Sequence, residues 1–304
     1  MPLSHIPYPI ASLRQEGVAC KGHLIHERRG RRGDRHNETT EATDYEVQPR
    51  RWILDLKVIR EDMDAMELNG LIAIQHEVRA DFGWAYGEDL QSAERMLECF
   101  NSETPFSTPS WNRKGRRATL EALKVALAEA EKIVFVGAAA TRTMLKRDWS
   151  EGAVFIAADG SVGACLGLVD VLVVVTDLDG GIHLQEAAER GTPMVVHAHG
   201  DNQNQWATLL PQWAAYKPPM ILTHQTDENY GGMFNVGGFT DGDRAVCLAC
   251  FLGADEGKFV FVGYSTEHVG EWSGRTEPAQ KLRKLEWMAK VLDRIHPAWK
   301  MRTA

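Results

Sequence analysis

Two aspartates, one residue apart, follow a run of leucine and β-branched residues. The segment Asp170–Gly181 reads D-V-L-V-V-V-T-D-L-D-G-G, so Asp177 and Asp179 come directly after the apolar run. Such a run is typical of a strand buried on both faces of a parallel sheet, and ligands bind at the carboxyl ends of these strands. Alternate residues can point the same way, so both carboxylates could bind one hard cation. The alternative is an acidic turn before a helix that begins near Leu184.

Further apolar runs also end in small or acidic residues. They are followed by Gly137, Asp159 and Asp201. In a parallel sheet these ends lie at one edge, together with Asp177 and Asp179. Carboxylates within a few ångströms raise each other's pKa unless a cation neutralises them. The pattern therefore predicts a divalent metal, and oxygen ligands favour magnesium or manganese, commonly together with a nucleotide triphosphate.

The segment after the first apolar run is suited to a phosphate. Residues 137–143 read G-A-A-A-T-R-T, and small residues let backbone N–H groups approach a phosphate at the start of the following helix. A dinucleotide site is the alternative, because Asp159 follows Gly137 at about the spacing of a ribose-binding acid. The second and third glycines of G-x-G-x-x-G are absent, and NAD leaves the other aspartates unexplained. NAD is therefore the less favoured ligand.

Three histidines also lie at predicted strand ends: His197, His199 and His224. They could bind zinc together with Asp201, or they could line a cleft. The second interpretation is favoured, with hydrogen bonds to substrate or phosphate.

A glycine-rich segment precedes another predicted helix. Residues 237–244 read G-G-F-T-D-G-D-R, in which Thr240 or Asp241 could cap the helix. Asp241, Asp243 and Arg244 would also lie near the same sheet edge, where they could contact a ligand.

Apolar strand-like segments alternate with helical patterns along most of the chain. This alternation predicts an α/β fold with an open, mostly parallel sheet and helices on both faces, plus a small N-terminal helical region. The predicted strands are Lys132–Val136, Val154–Ala158, Val171–Val175, Pro193–Val196, Met220–Leu222 and Phe259–Val262. The predicted helices are Glu88–Phe100, Thr119–Glu131, Gln185–Arg190, Asp243–Leu252 and Pro278–Ile295, with one or two short helices between Trp52 and Leu68.

Composition changes along the chain predict three regions. Residues 1–50 are rich in arginine and polar residues, and we expect a disordered extension there rather than an arm for an anionic partner. Residues 51–115 are expected to form a helical cap and linker, and residues 116–304 an α/β catalytic domain.

The bulk properties narrow the function classes. The chain has 304 residues, 25% of them charged, and a net charge of −8, which argues against nucleic acid as the main partner. Because no segment resembles a membrane span or a secretory signal, a cytoplasmic location is expected, and a homo-oligomer is left open. Cys247 and Cys250 form a C-x-x-C within a helical pattern, which favours buried cysteines over a metal site.

Four motifs occur in an order that resembles one family. They are A-D-G at Ala158, T-D-L-D-G at Thr176, H-A-H-G-D-N at His197 and G-G-F-T-D-G-D-R-A at Gly237. Over about residues 52–295 the chain resembles the archaeal-type 6-hydroxymethyl-7,8-dihydropterin diphosphokinases, whose core is similar to that of thiamin diphosphokinase. The resemblance implies a magnesium-dependent transfer of diphosphate from ATP to the pterin hydroxymethyl group, with AMP as leaving group.

The resemblance also implies roles for individual residues. Magnesium would be held by Asp177, Asp179 and Asp201, and Arg244 would neutralise phosphate charge. ATP would contact Gly137, Ala138, Ala139, Thr141, Asp159 and Gly160. The pterin would contact His199, Asn202, Gln225, Asn235, Asp241 and Asp243. The segment Tyr264–Gly274 departs from the family pattern, and no role is predicted for it.

Two other functions remain as alternatives. A D-x-D pair such as Asp177 and Asp179 holds metal and nucleotide-sugar diphosphate in glycosyltransferases, but this function leaves H-A-H-G-D-N and F-T-D-G-D-R without a purpose. A regulatory nucleotide-binding module would bind ATP and magnesium and release no AMP.

Overall fold

A single sheet of six parallel strands organises the protein. The structure is a computed structural model, and it describes residues 65–101, 104–274 and 276–303. The strands are β1 (Lys132–Val136), β2 (Ala153–Ala158), β3 (Val171–Thr176), β4 (Met194–Ala198), β5 (Met220–His224) and β6 (Phe259–Val262). They are arranged in the order β5-β4-β3-β2-β1-β6, and every pairing is parallel. The predicted open parallel sheet is confirmed.

Helices cover both faces of this sheet. They are α1 (Ala65–Phe82), α2 (Tyr86–Asn101), α3 (Arg113–Glu129), α4 (Arg142–Leu145), α5 (Val162–Cys165), α6 (Gly181–Glu189), α7 (Gln203–Trp213), α8 (Asp241–Phe251) and α9 (Pro278–Ile295). One apolar core joins α1, α3, α8 and α9 to the sheet, and a second core joins α2, α5, α6 and α7 to the other face.

Alternation along β1 explains the two cores. Ile133 and Phe135 are buried in the first core, whereas Val134 and Val136 are buried in the second. Successive side chains of a strand point to opposite faces, so a central strand needs apolar residues at every position. This requirement is the physical reason for the continuous apolar runs in the sequence.

The strand order reverses beside β1. This strand pairs with β2 on one side and with β6 on the other, so that Val136 has Ala157 and Val262 as neighbours. The turns that follow β1 and β6 stay in contact at the carboxyl edge, where the Ala139 N–H donates to the Gly263 carbonyl (3.0 Å). Ligands of open α/β sheets bind at such a switch point.

Several helices differ from the sequence prediction, among them α4 and α5, which were not predicted, and α3, which begins at Arg113 instead of Thr119. Helix α7 was not predicted, because its glutamines, Asn204 and Pro211 hide an apolar stripe of Trp206, Leu210 and Trp213. Helix α1 is one long helix of 18 residues instead of one or two short ones. The part of that prediction before residue 65 lies outside the described residues.

The expected division of the chain stays a prediction. Residues 1–64, which include the predicted extension, lie outside the described residues. Among the described residues, no helix combines the length and the apolar character needed to cross a membrane.

Candidate active site

A pocket opens at the carboxyl edge of the sheet. The turns after all six strands, together with the start of α8, contribute residues to its wall. Of the residues predicted from sequence, those that line it are Gly137, Ala138, Ala139, Asp159, Asp177, Asp179, His199, Asp201, Gln225, Asp241 and Arg244. The strand-end rule therefore brings residues together that are far apart in the chain.

Three carboxylates lie close together in this pocket. Asp159, Asp177 and Asp241 each offer an oxygen, and these atoms lie within 4.8 Å of one another. Asp179 and Asp201 also line the pocket and are exposed, and the Asp179 carboxyl group lies within hydrogen-bonding reach of those of Asp159 and Asp177. The geometry therefore groups Asp177 with one residue predicted to contact the nucleotide and one predicted to contact the pterin.

An unusual backbone conformation orients the two aspartates after β3. Leu178, which lies between them, is buried and has a φ of 81°. Its N–H donates to Thr176 Oγ1 (2.7 Å), and that hydroxyl donates to Asp159 Oδ1 (2.5 Å). Left-handed conformations of residues other than glycine cost about 1–3 kcal/mol and cluster at functional sites. Here the turn directs the chain from Asp177 back to Asp179 while the leucine side chain stays in the core.

The carboxylates perturb one another strongly. Burial raises the pKa of Asp159 well above its usual value, and the charges of Asp179, Asp241 and Asp177 raise it further. Burial, followed by the charge of Asp177, does the same to the pKa of Asp241. Burial alone would also raise the pKa of Asp177, but a hydrogen bond from His199 and the positive charges of Arg244 and Lys281 hold it below its usual range. Burial and mutual repulsion therefore favour the protonated forms of Asp159 and Asp241.

The cluster fits a divalent cation. Asp177 Oδ1 is buried and has no hydrogen-bond partner among the described residues. A buried oxygen without a partner is costly, and a hard cation bound to oxygen ligands removes that cost. The residues present, all carboxylates, match the donors that magnesium prefers.

His199 connects two of the acidic turns. Its Nδ1 accepts a hydrogen bond from the Asp201 N–H (3.3 Å), and its Nε2 lies 3.5 Å from Asp177 Oδ2. Because Nδ1 is an acceptor in this arrangement, Nε2 carries the proton and points it towards Asp177. The contact fixes the ring between the turns after β3 and β4.

Arg244 is used within the protein. Its Nη1 donates to Asp241 Oδ1 (3.0 Å) and its Nη2 donates to the Phe239 carbonyl (2.7 Å). Only 2% of the residue is exposed. The guanidinium therefore fixes the carboxylate of Asp241 and the segment before α8.

Five predicted site residues do not line the pocket: Thr141, Gly160, Asn202, Asn235 and Asp243. Thr141 caps α4. Gly160 is buried, and a Cβ there would lie 2.6 Å from the Trp272 carbonyl oxygen. Asp243 is fully buried and accepts hydrogen bonds from the N–H groups of Phe239 and Thr240 (both 2.7 Å), so that it forms a capping box with Thr240, the N-cap of α8.

The two asparagines act as internal braces. Asn202 donates to the carbonyls of Asp177 (2.9 Å) and His197 (2.6 Å) and accepts from the His199 N–H (3.0 Å). Asn235 exchanges two hydrogen bonds with Gln75 of α1 (2.9 and 3.1 Å). Both amides therefore position the backbone around the pocket.

The other two predicted histidines lie in the protein interior. His197 Nδ1 and the Thr223 hydroxyl are 3.0 Å apart, and burial lowers the pKa of His197 well below its usual value. His224 Nδ1 lies 3.0 Å from the Thr226 hydroxyl, and burial lowers the pKa of His224 to about 3. Both rings are therefore neutral and serve the packing of the sheet edge.

Several pocket residues were not predicted from sequence. The segment after β6 contributes Tyr264, Ser265, His268, Gly270, Trp272 and Ser273. This segment lies against the turn after β1, because Trp272 donates from its backbone N–H to the Ala138 carbonyl (3.1 Å) and from Nε1 to the Ala140 carbonyl (2.8 Å). Its sequence carries no regular motif, so its role follows only from the position of β6 beside β1.

The N-terminal helices supply another wall of the pocket. Trp84, in the turn between α1 and α2, stacks on Phe82 with ring centres 4.6 Å apart. Asp89 of α2 is buried and accepts hydrogen bonds from Arg79 (3.0 Å), the Gln225 side chain (2.9 Å) and the Gly200 N–H (2.9 Å). A single carboxylate thus connects α1, α2 and the turns after β4 and β5.

The fold and pocket define an open α/β protein with an acidic ligand site at a topological switch point. Proteins named "6-hydroxymethyl-7,8-dihydropterin pyrophosphokinase" match this chain. The one from Methanothermobacter thermautotrophicus is 38% identical over 177 residues, which are 53% of this chain and 72% of the relative. The one from Pyrococcus furiosus is 40% identical over 156 residues, 49% of this chain and 64% of the relative. The one from Methanocaldococcus jannaschii is 35% identical over 92 residues, 29% of this chain and 38% of the relative.

The chain therefore belongs to the 6-hydroxymethyl-7,8-dihydropterin pyrophosphokinase family. This finding confirms the resemblance drawn from the four motifs. No protein-family profile matches the chain.

Proposed function

We propose that this chain transfers diphosphate from ATP to 6-hydroxymethyl-7,8-dihydropterin in the cytoplasm, for a pterin cofactor of the tetrahydromethanopterin or folate type. A bond forms between the hydroxymethyl oxygen and the β-phosphorus, the bond from that phosphorus to the α,β-bridging oxygen breaks, AMP leaves, and one proton is released. The observation that carries the proposal is membership of the family, established at 38% identity over 72% of a relative.

Magnesium would be held by Asp177 together with Asp159 and Asp241. The spacing of their oxygens, within 4.8 Å, and the unpartnered Oδ1 of Asp177 support this set over one that includes the exposed Asp201. When bound, the ion neutralises charge on the triphosphate. Asp179 and Asp201 remain candidates for ligands at the rim of the pocket.

The part of the pocket beside the turn after β1 suits the nucleotide. Gly137, Ala138 and Ala139 present little side-chain volume there, so a phosphate can approach this turn, although the N–H groups of Gly137 and Ala139 already donate to carbonyls of the β6 strand and its turn. Trp272 and Ser273 of the segment after β6 line the pocket beside it. Diphosphate transfer depends mainly on positioning of the reactants and on charge neutralisation, so a rigid pair of turns is a suitable support.

The wall formed by the N-terminal helices suits the pterin. Trp84 offers an aromatic surface for a planar heterocycle, with Phe239 nearby at a ring-centre distance of 6.0 Å. Gln225 and Asp89 lie on the same side of the pocket and are held in one hydrogen-bonded network. His199 lies next to the acidic cluster, with its Nε2 proton directed towards Asp177.

The experiment is incubation of the purified protein with ATP, magnesium and 6-hydroxymethyl-7,8-dihydropterin, followed by chromatography of the nucleotides. The proposal requires AMP that forms only when the pterin is present, and that is lost in Asp177→Asn. ADP would mean single phosphoryl transfer and would contradict the proposed reaction. ATP binding without turnover would support the regulatory module, and cleavage of a nucleotide sugar instead of ATP would support the glycosyltransferase.

A further inference from the structure

The pocket carries far more negative than positive charge. The described residues that line it include seven carboxylates: Glu88, Asp89, Asp159, Asp177, Asp179, Asp201 and Asp241. The lysines and arginines among them are Arg244, Lys281 and Lys284. ATP is itself an anion, so its phosphates need cationic partners within this wall.

Two of these cations already have a contact. Arg244 donates to Asp241 and to the Phe239 carbonyl, and it is almost fully buried. The Lys284 ammonium lies 5.4 Å from the centre of the Trp84 ring, where a cation is attracted to the aromatic face. Arg244, predicted to neutralise phosphate charge, is therefore better suited to holding Asp241 in place.

Lys281 differs from both. It lies in the first turn of α9, where its backbone N–H donates to the Glu277 carbonyl (2.9 Å). Within the described part of the chain, its ammonium has neither a hydrogen-bond partner nor an ion pair, although it lines a pocket full of carboxylates. Its charge nevertheless contributes to the lowered pKa of Asp177 and partly offsets the raised pKa of Asp179. The ammonium therefore lies in the same pocket as the acidic cluster, within range of its charge.

The helix that carries Lys281 is firmly anchored. Arg283 donates to Asp81 Oδ1 (2.6 Å) and to its Oδ2 (3.1 Å), and Trp287 Nε1 donates to Asp81 Oδ2 (2.7 Å). Val291 and Leu292 are fully buried in the first apolar core. A lysine on such a helix presents its charge at a fixed place, which favours a specific ligand contact over a mobile surface charge.

We propose that Lys281 is the side chain that binds the phosphate chain of ATP, and that Arg244 is a positioning residue for Asp241. A phosphate chain held against the acidic cluster by a cation fills the volume between that cluster and Lys281. The negative charge of the phosphate chain is then neutralised by the cation on one side and by Lys281 on the other. This inference rests on the proposed use of ATP and adds a residue that neither the motifs nor the family resemblance identified.

The test is calorimetric binding of inorganic triphosphate with magnesium, and of MgATP, to full-length Lys281→Ala. We expect affinity for both ligands to fall about 10- to 100-fold, the value of a charge-assisted hydrogen bond, while adenosine binding is unchanged. Lys281→Arg should recover most of the affinity. Lys290→Ala, which removes an exposed charge from the same helix at the Trp287 ring, should bind like the wild type.

Unchanged affinity of Lys281→Ala for triphosphate and MgATP would overturn the assignment, as would an equal loss in Lys290→Ala. If Lys281→Ala unfolds at a lower temperature than the wild type, Lys281→Gln replaces it in the binding experiment. Because binding needs no turnover, the two proposals fail separately. A wild type that binds triphosphate through Lys281 and forms no AMP would refute the reaction alone, whereas normal AMP formation with unchanged binding and KM in Lys281→Ala would refute the lysine alone.

Discussion

Thr176 at the end of β3 connects the unusual turn to the acidic cluster. It is fully buried, accepts the Leu178 N–H at 2.7 Å and donates to Asp159 Oδ1 at 2.5 Å. Thr176→Val keeps the shape of the side chain and removes both hydrogen bonds. A buried N–H left without a partner costs about 1–3 kcal/mol, and the lost bond to the carboxyl group adds to it. We expect the free energy of unfolding to fall by about 2–4 kcal/mol.

The variant should also respond less to ligand. A ligand present at 100 times its dissociation constant stabilises the wild type by about 2.7 kcal/mol. We expect Thr176→Val to lose most of this gain with MgATP, because Asp159 is no longer held in place. The assay is urea unfolding followed by circular dichroism, with and without MgATP.

Thr223→Val is the matched control. Thr223 is equally buried, on β5, and its hydroxyl contacts His197 at 3.0 Å and the Val196 carbonyl at 3.4 Å. This variant should lose about 1–2 kcal/mol of stability but keep the response to MgATP. If Thr176→Val unfolds within about 0.5 kcal/mol of the wild type, or gains as much from MgATP as Thr223→Val, the account of the turn is wrong.

Three further predictions test other parts of the site. Asp89 accepts three hydrogen bonds, and Asp89→Asn replaces one of its acceptor oxygens with a donor. The KM for the pterin should therefore rise about tenfold or more in steady-state assays. Glu94→Gln, which changes an exposed residue of the same helix, should leave KM unchanged. Gly263→Ala should lower the free energy of unfolding by at least about 3 kcal/mol, because the φ of Gly263 is 71° and a Cβ would lie 2.0 Å from the backbone of the turn after β1. Gly83 has the same φ but open space around it, so Gly83→Ala should lower the free energy of unfolding by only about 1–2 kcal/mol in the same chemical unfolding experiment. Burial lowers the pKa of His224 to about 3, so the unfolded chain binds a proton more readily than the folded protein. The free energy of unfolding should therefore decrease as the pH falls from about 6.5 towards 3. In the same pH titration of stability, His224→Gln should show a shallower decrease.

Much of the sheet could be predicted because local sequence decides it. Lys132–Val136 and Phe259–Val262 form strands with the predicted bounds, since a strand buried on both faces needs an unbroken apolar run. Helix Pro278–Ile295 also begins and ends as predicted, with proline in its first turn. Helix α7 escaped prediction because its three core residues are embedded in polar residues that are equally common in loops.

The candidate site could be predicted only in part. The strand-end rule brought Asp159, Asp177 and Asp179 to one pocket, because it depends on the parallel sheet alone. The approach of Asp241 to Asp177 depends on how α8 crosses the sheet edge, which the sequence pattern does not specify. The sequence pattern also does not specify the roles of Asn202 and Asp243, because Asn and Asp serve equally well in internal hydrogen bonds, in helix capping and in ligand contacts.

Walls contributed by distant segments were the least predictable. Trp84 follows α1 and Lys281 lies in α9, at opposite ends of the described chain, and packing of α9 against α1 brings them to the same pocket. Neither residue lies in one of the four family motifs. Their positions follow from long-range packing, which a single sequence reports only weakly.

The most direct measurement of the central claim is the mass of the pterin product. Wild-type protein, ATP, magnesium and 6-hydroxymethyl-7,8-dihydropterin are incubated together, and the product is analysed by mass spectrometry alongside the nucleotide. The account predicts a pterin that has gained two phosphoryl groups, formed in equal amount with AMP. A pterin with one added phosphoryl group and ADP, or an unmodified pterin in the presence of bound ATP, would contradict it.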